Sequence, residues 1–269
     1  MYRIAYLLVG LAGISLMPVV LAEDAFQAGG KLAQRVYDRP DGQDSSARGI
    51  MSLVEKGSPP RVRQMYTYRL DRGNQTIWSM IRFVSPPDVN GVGLLTYDYP
   101  GDESDQWLYL TELDSSRRIA SNRKGGRFVG SDLFYEDLRD REVSMDRHRI
   151  IGREQMMGAE CDLLESIPVN PDNSVYSKRV SWIHPGTLIP LRVDLYMGDK
   201  PEPAKRLQVH RIEKIQGYWT VMESTMTDLE SNHITIMKAE HVVYDRHLPE
   251  ELFSQKTLED PAREEKFRP

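Results

Sequence analysis

The chain has 269 residues, with 35 Lys and Arg against 40 Asp and Glu for a net charge of −5, and a single cysteine. The acidic balance argues against a nucleic-acid partner, which would need a broad basic face. One cysteine excludes an internal disulfide, so stability must come from a packed core.

The N-terminus reads as an export signal. Arg3 supplies a positive n-region, residues 4–16 are apolar, and Met17-Pro18 breaks the run before Val20-Leu21-Ala22. Such small or modest side chains suit a signal peptidase, so cleavage is expected after Ala22 and the destination is the periplasm. An uncleaved anchor is the alternative, which Gly10, Gly13 and Pro18 weaken. Residues 1–22 hold one basic residue and no acid, so the mature chain carries 34 basic and 40 acidic side chains, net −6. No cysteine sits at the new N-terminus to take a lipid anchor.

Residues 25–37 read as a short helix with Phe26, Leu32 and Val36 on one side, ended by Arg39-Pro40-Asp41-Gly42. From Gly49 the pattern turns to period two, the mark of half-buried strands. In residues 61–70, Val62, Tyr66, Tyr68 and Leu70 share one face and Arg61, Arg63, Thr67 and Arg69 the other. In residues 75–84, Ile77, Ile81 and Phe83 alternate with Thr76, Trp78, Met80 and Arg82. Residues 188–197 set Ile189, Leu191, Val193, Leu195 and Met197 against Arg192, Asp194 and Tyr196. Further strands are expected at 51–56, 92–97, 106–112, 117–121, 142–155, 159–167, 178–184, 205–215, 218–228 and 233–244. Turn residues such as Asp71-Arg72-Gly73-Asn74 and Gln216-Gly217 punctuate them.

A dozen or so strands joined by short turns describe an antiparallel meander in a single domain over 23–259, with a charged, flexible tail at 260–269. A sheet with one apolar face must curl around that face or cover it. The covering pieces are the N-terminal helix, residues 85–91 and residues 122–140.

The residue patterns of catalysis and metal binding are missing. There is no His-Glu-x-x-His and no cysteine pair, and the six histidines are scattered. Lys124-Gly125-Gly126-Arg127 lacks the strand–loop–helix setting of a phosphate loop, and no Gly-x-Ser-x-Gly elbow occurs. Glu136, Asp137 and Asp140 sit beside Arg139 and Arg141 and read as an ion-paired surface. Cys161 shares strand parity with Ala159, Leu163 and Ile167, a buried small hydrophobe. No catalytic residue, metal or cofactor is assigned.

One loop stands out. Phe128-Val-Gly-Ser-Asp-Leu-Phe-Tyr-Glu-Asp-Leu138 concentrates large apolar side chains in a connection flanked by charge. These need an apolar place to sit, and the concave sheet face offers one. A core plug and a lid over a lipid-sized cavity are both consistent with that.

This segment resembles the signature of the outer membrane lipoprotein-sorting proteins of the LolA/LolB-like superfamily. Gln106-Trp107-Leu108-Tyr109-Leu110, Arg117-Arg118-Ile119 and Val243-Tyr244-Asp245 with Leu248-Pro249-x-x-Leu252-Phe253 fit the same family. Val129 and Leu133 depart mildly, since Met and Phe are commoner there.

The resemblance implies a mainly β fold, an incomplete, unclosed antiparallel β-barrel whose apolar concave face is covered by short helices and loops. It implies lipid or lipoprotein acyl chains as ligands and, from the branch beside RND/MMPL-type exporters, an inner-membrane transporter as partner. The expected cavity is lined by Tyr66, Tyr68, Ile77, Ile81, Phe83, Leu191, Val193 and Leu195, under Phe128, Leu133 and Phe134. A carrier is the first expectation. An RseB-like sensor, for whose extra C-terminal domain little chain remains after Phe253, and an accessory subunit of an export complex are the alternatives.

Overall fold

The computed structural model describes residues 17–101, 104–120 and 124–269, with side chains from residue 24. Most of the expected export signal, and the side chains around the expected cleavage position, lie outside the described residues. No described helix is long and apolar enough to cross a membrane.

Helix α1 (Met17–Tyr37) leads into thirteen strands among the described residues. These are β1 (Asp44–Val54), β2 (Arg61–Asp71), β3 (Ile77–Ser85), β4 (Gly93–Asp98), β5 (Ser104–Leu110) and β6 (Ser115–Arg118). After a long connection come β7 (Asp146–Met156), β8 (Ala159–Pro168), β9 (Lys178–Ile183), β10 (Pro190–Tyr196), β11 (Lys205–Ile215), β12 (Tyr218–Asp228) and β13 (Ile234–Tyr244). All pair antiparallel in one sheet, ordered β6-β5-β4-β3-β2-β1-β13-β12-β11-β10-β9-β8-β7. Every neighbour is sequential except β1 with β13, so β6 and β7 are the two free edges and the barrel is unclosed.

The alternation expected from period two places every one of these strands. β1 starts seven residues earlier than expected. Asp44-Ser-Ser-Ala-Arg carries no apolar stripe, yet it is ladder-bonded to β2 on one side and β13 on the other. Buried Asp44 accepts from the backbone amides of Arg246, His247 and Leu248, so a polar start is what this position requires.

Curvature follows from which residues meet. Leu94 of β4, Met51 of β1, Met226 of β12 and Leu195 of β10 belong to one buried cluster, which a flat sheet of this order could not assemble. The shared face is the concave one. Helix α1 lies over β7 and β8 on that face, burying Leu32 and Ala33 against Leu164 and Ile183. Gly29 makes the approach possible: a Cβ there would stand 2.5 Å from the His148 carbonyl oxygen.

The outer face of β2–β5 is covered too. Leu248, Leu252, Phe253 and Leu258, the last in helix α2 (Gln255–Glu259), pack with Tyr68, Leu70, Met80, Leu95 and Tyr109. Fully buried Arg82 donates to the carbonyls of Gly91, Thr257 and Leu258 and pins this strap. The last ten residues, expected as a flexible tail from their charge, continue the strap: Glu264 is fully buried and ion-pairs with Arg268 at 2.6 Å, and Arg246 donates to the Phe267 carbonyl.

Candidate functional site

The described part of the connection from β6 to β7, from residue 124 onward, runs through the concavity between the two free edges of the sheet. The stretch 126–138 is its centre. It holds two 3₁₀ turns, Phe128–Gly130 and Tyr135–Leu138, and a bridge between Arg127 and Phe134. Phe128, Leu133, Phe134 and Tyr135 are buried in the main cluster with Met51, Leu53, Met65, Phe83 and Leu195. The Phe128 ring meets Phe83 at 5.7 Å and Tyr135 at 6.0 Å, and Phe134 stacks on Tyr176 at 5.9 Å. The apolar concavity is thus filled by the protein's own side chains.

Polar contacts hold this plug at several points on the wall. Asp132, with no exposed surface, accepts from Thr235 Oγ1 at 2.8 Å and Arg127 Nη1 at 3.1 Å, and pairs with His233 Nδ1 at 2.6 Å. Its backbone amide donates to Thr235 Oγ1, and its carbonyl accepts from Lys205 Nζ at 2.6 Å. Lys205 is 2 % exposed and lies over the Phe134 ring; burial draws its ammonium down to about 8. Arg63 donates to the Val129 carbonyl and Gln106 to that of Tyr135.

The far end of the plug is tied through its acids. Glu136 accepts from the Val175 amide at 2.7 Å, from Ser174 and from Arg179. Asp137 accepts from the Phe134 amide at 2.7 Å and from the Tyr176 hydroxyl, and burial pushes its carboxyl above the ordinary range. One feature works against this order. Val129 sits at φ 48°, in the left-handed region that a β-branched residue avoids, at a cost of about 1–2 kcal/mol.

Of the expected lining residues, Ile81, Phe83, Val193 and Leu195 meet the plug residues Phe128, Leu133 and Phe134 in one cluster. The other four do not. Tyr66 and Tyr68 face outward beneath the C-terminal strap, because Tyr68 pairs with Met80 while inward Ile81 pairs with Thr67. The face of β2 that carries Arg61, Arg63, Met65 and Thr67 is the inner one, so the reading of its aromatic stripe as the lining is corrected. Leu191 falls at a register shift between Pro190 and Arg192 and packs with Cys161, Trp182 and Val209 in a separate cluster. Ile77 faces a polar cavity beside the plug.

Sequence reasoning missed the anchors Arg63, Gln106, Tyr176, Lys205, His233 and Thr235. A signal existed for Lys205 and Arg63: each is a cation in register with apolar neighbours, Leu207 for the one and Met65 for the other. Nothing local connects Asp132 to His233 and Thr235, about a hundred residues away.

The polar cavity has a volume of about 960 Å³. The end of α1, the β2–β3 turn, residues 140–143 and the inner face of β8 and β9 line it, and it opens to solvent.

A family model described only as an uncharacterized protein matches residues 75–260. An outer membrane lipoprotein-sorting protein domain from Vibrio parahaemolyticus superposes with a TM-score of 0.82 at 29 % identity, covering 87 % of this chain and 99 % of that one. A DUF1329 family protein from Desulfovibrio piger gives 0.82 at 32 % identity, again covering 87 % and 99 %. A LolA superfamily protein from Nitrosomonas europaea, at 15 % identity and TM-score 0.65 over 86 % and 97 % of the two chains, shares the fold. No curated protein matches the sequence. With a family model spanning residues 75–260 and a 32 % identical relative matched over nearly its full length, the chain belongs to the DUF1329 family and shares the fold of the LolA superfamily protein.

Proposed function

We propose that the protein is a periplasmic carrier, not an enzyme, that binds lipid or lipoprotein acyl chains in the concavity by exchanging them for the side chains of residues 126–138. The observation that carries this reading is that the apolar interior is filled by one connecting segment rather than by interlocking strands. Phe128, Leu133 and Phe134 occupy the volume that an acyl chain would take.

Moving a long acyl chain out of water is worth on the order of 10 kcal/mol, from about 0.8 per methylene. Expelling the plug offsets much of that gain, because it breaks the Asp132, Glu136 and Asp137 contacts and re-exposes aromatic rings. A carrier needs this balance, since cargo must also leave. The strained Val129 lowers the cost of release. The partner that receives or supplies the cargo is proposed, from the sequence resemblance, to be an inner-membrane transporter of the RND/MMPL type.

The density of polar anchors favours a second reading, in which the plug never moves and the protein is a protein-binding accessory or sensing module. Hydrogen exchange with and without phospholipid vesicles separates the two. The carrier reading predicts that residues 126–138 lose amide protection on lipid loading while β1, β12 and β13 keep theirs. Lipid loading that leaves that segment's exchange unchanged would contradict the exchange mechanism.

A further inference from the structure

The polar cavity beside the plug contains buried polar atoms to which the fold gives no hydrogen bond. Several of its groups are paired. Arg69 lies 3.3 Å from Asp41, Arg141 donates to both carboxylate oxygens of Asp146 at 2.7 and 2.9 Å, and Arg179 pairs with Glu136 of the plug. Glu142 and Arg39 differ, each having one buried atom without a partner. Glu142 is 7 % exposed; its Oε2 accepts from the Gly101 amide and from Ser144, but its Oε1 has no hydrogen-bond partner among the described residues. Arg39 lines the cavity with its buried Nε also unpartnered. The Asp140 carboxylate lines it as well; burial pushes its carboxyl up, opposed by Arg69 and Arg39.

Unpartnered buried groups cost free energy, and a cavity of about 960 Å³ lies within the range that ligands occupy. The two unpartnered atoms, Glu142 Oε1 and Arg39 Nε, belong to groups of opposite sign, so the complementary ligand presents a cation and an anion together. The place of the cavity limits the choice further. Arg141 and Glu142 follow the plug directly in the chain, and Arg179 joins the plug to the cavity wall. On the carrier reading, this cavity is therefore the polar space nearest to the head of an acyl chain that takes the plug's position.

We propose that the cavity receives the phosphoethanolamine head of a zwitterionic phospholipid, its ammonium between Asp140 and Glu142 and its phosphate against Arg39. This rests on the carrier reading for the acyl half of the ligand. Asp140 and Arg39 are the residues to change, because no described side-chain hydrogen bond depends on either.

The mature protein is loaded from vesicles of phosphatidylethanolamine or phosphatidylglycerol with matched acyl chains, and bound lipid is quantified. Phosphatidylethanolamine should exceed phosphatidylglycerol by about tenfold, the equivalent of one charge-assisted contact. Asp140→Asn should remove most of that preference and leave oleate binding unchanged, whereas Arg39→Gln, which faces the phosphate common to both lipids, should lower the loading of both. Equal loading of the two phospholipids by the unmodified protein, a preference that survives Asp140→Asn, or undiminished loading of both lipids in Arg39→Gln overturns the proposal and leaves the carrier reading standing. Failure of every lipid to load sinks the carrier reading instead, and O-phosphoethanolamine alone, titrated by calorimetry, then decides. Saturable binding that is lost in the two variants sustains the site, and no binding overturns it.

Discussion

Asp132 shows how a single buried carboxylate organises the interior. It gathers Arg127, His233 and Thr235 around one side chain, while its own carbonyl holds Lys205 over Phe134. Asp132→Ala strands these partners and should cost about 3 kcal/mol or more in urea unfolding, with faster amide exchange in residues 126–138. A change under about 1 kcal/mol would mean that the plug is held by packing alone. Asp98 gives a test by pH. Burial pushes its carboxyl from 3.8 up to about 6, although the Asp140 amide at 2.9 Å and Arg139 at 3.4 Å draw it down. The folded state therefore holds a proton that the unfolded chain has already released. Asp98's contribution is full below pH 3.8 and is lost as pH rises through about 6. Its side chain is 6 % exposed, so two units correspond to about 3 kcal/mol. Stability measured at pH 4 and pH 7 should fall less in Asp98→Asn than in the unmodified chain, and parallel curves would refute the assignment.

At the scale of elements, three pieces outside the sheet decide what its faces do: α1, the plug and the C-terminal strap. Gly29 is the contact point of α1. Gly29→Ala places a methyl 2.5 Å from the His148 oxygen, forcing the helix off β7 at about 1–3 kcal/mol. The expected readout is lost amide protection across residues 25–37 with the strands unchanged, and unchanged helix protection would show that the docking is loose. Strands were legible in the sequence because alternation is a local property. Their inward faces were legible only where the two stripes differ in polarity, as in β3. In β2 an aromatic stripe competes with one of Arg, Met and Thr, and the strap, more than 170 residues later, decides that the aromatics face out. The plug was legible as an apolar loop, its aromatic residues having no other place to go. Its anchors were not, since they lie on or beside β2, β5, β11 and β13 and in the loop before β9, which only the curled sheet brings together. The charge of residues 260–269 hid the burial of Glu264 for the same reason.

Across the whole molecule, the sheet is a strip curled around its own crossing connection. The free edges β6 and β7 are joined by the segment that fills the concavity, so opening the interior does not require breaking a ladder between strands. The interior divides into an apolar part under the plug and a charged cavity beside it, an arrangement suited to a ligand with a tail and a head. The most direct test of this account is native mass spectrometry on residues 23–269, produced by export into a bacterial periplasm and purified without detergent, combined with lipid extraction. The account predicts a mass above that of the polypeptide, an extractable acyl-bearing ligand, and loss of that ligand in Phe134→Asp while circular dichroism still reports the folded sheet. A mass equal to the bare polypeptide, unchanged after incubation with phospholipid vesicles, would contradict it.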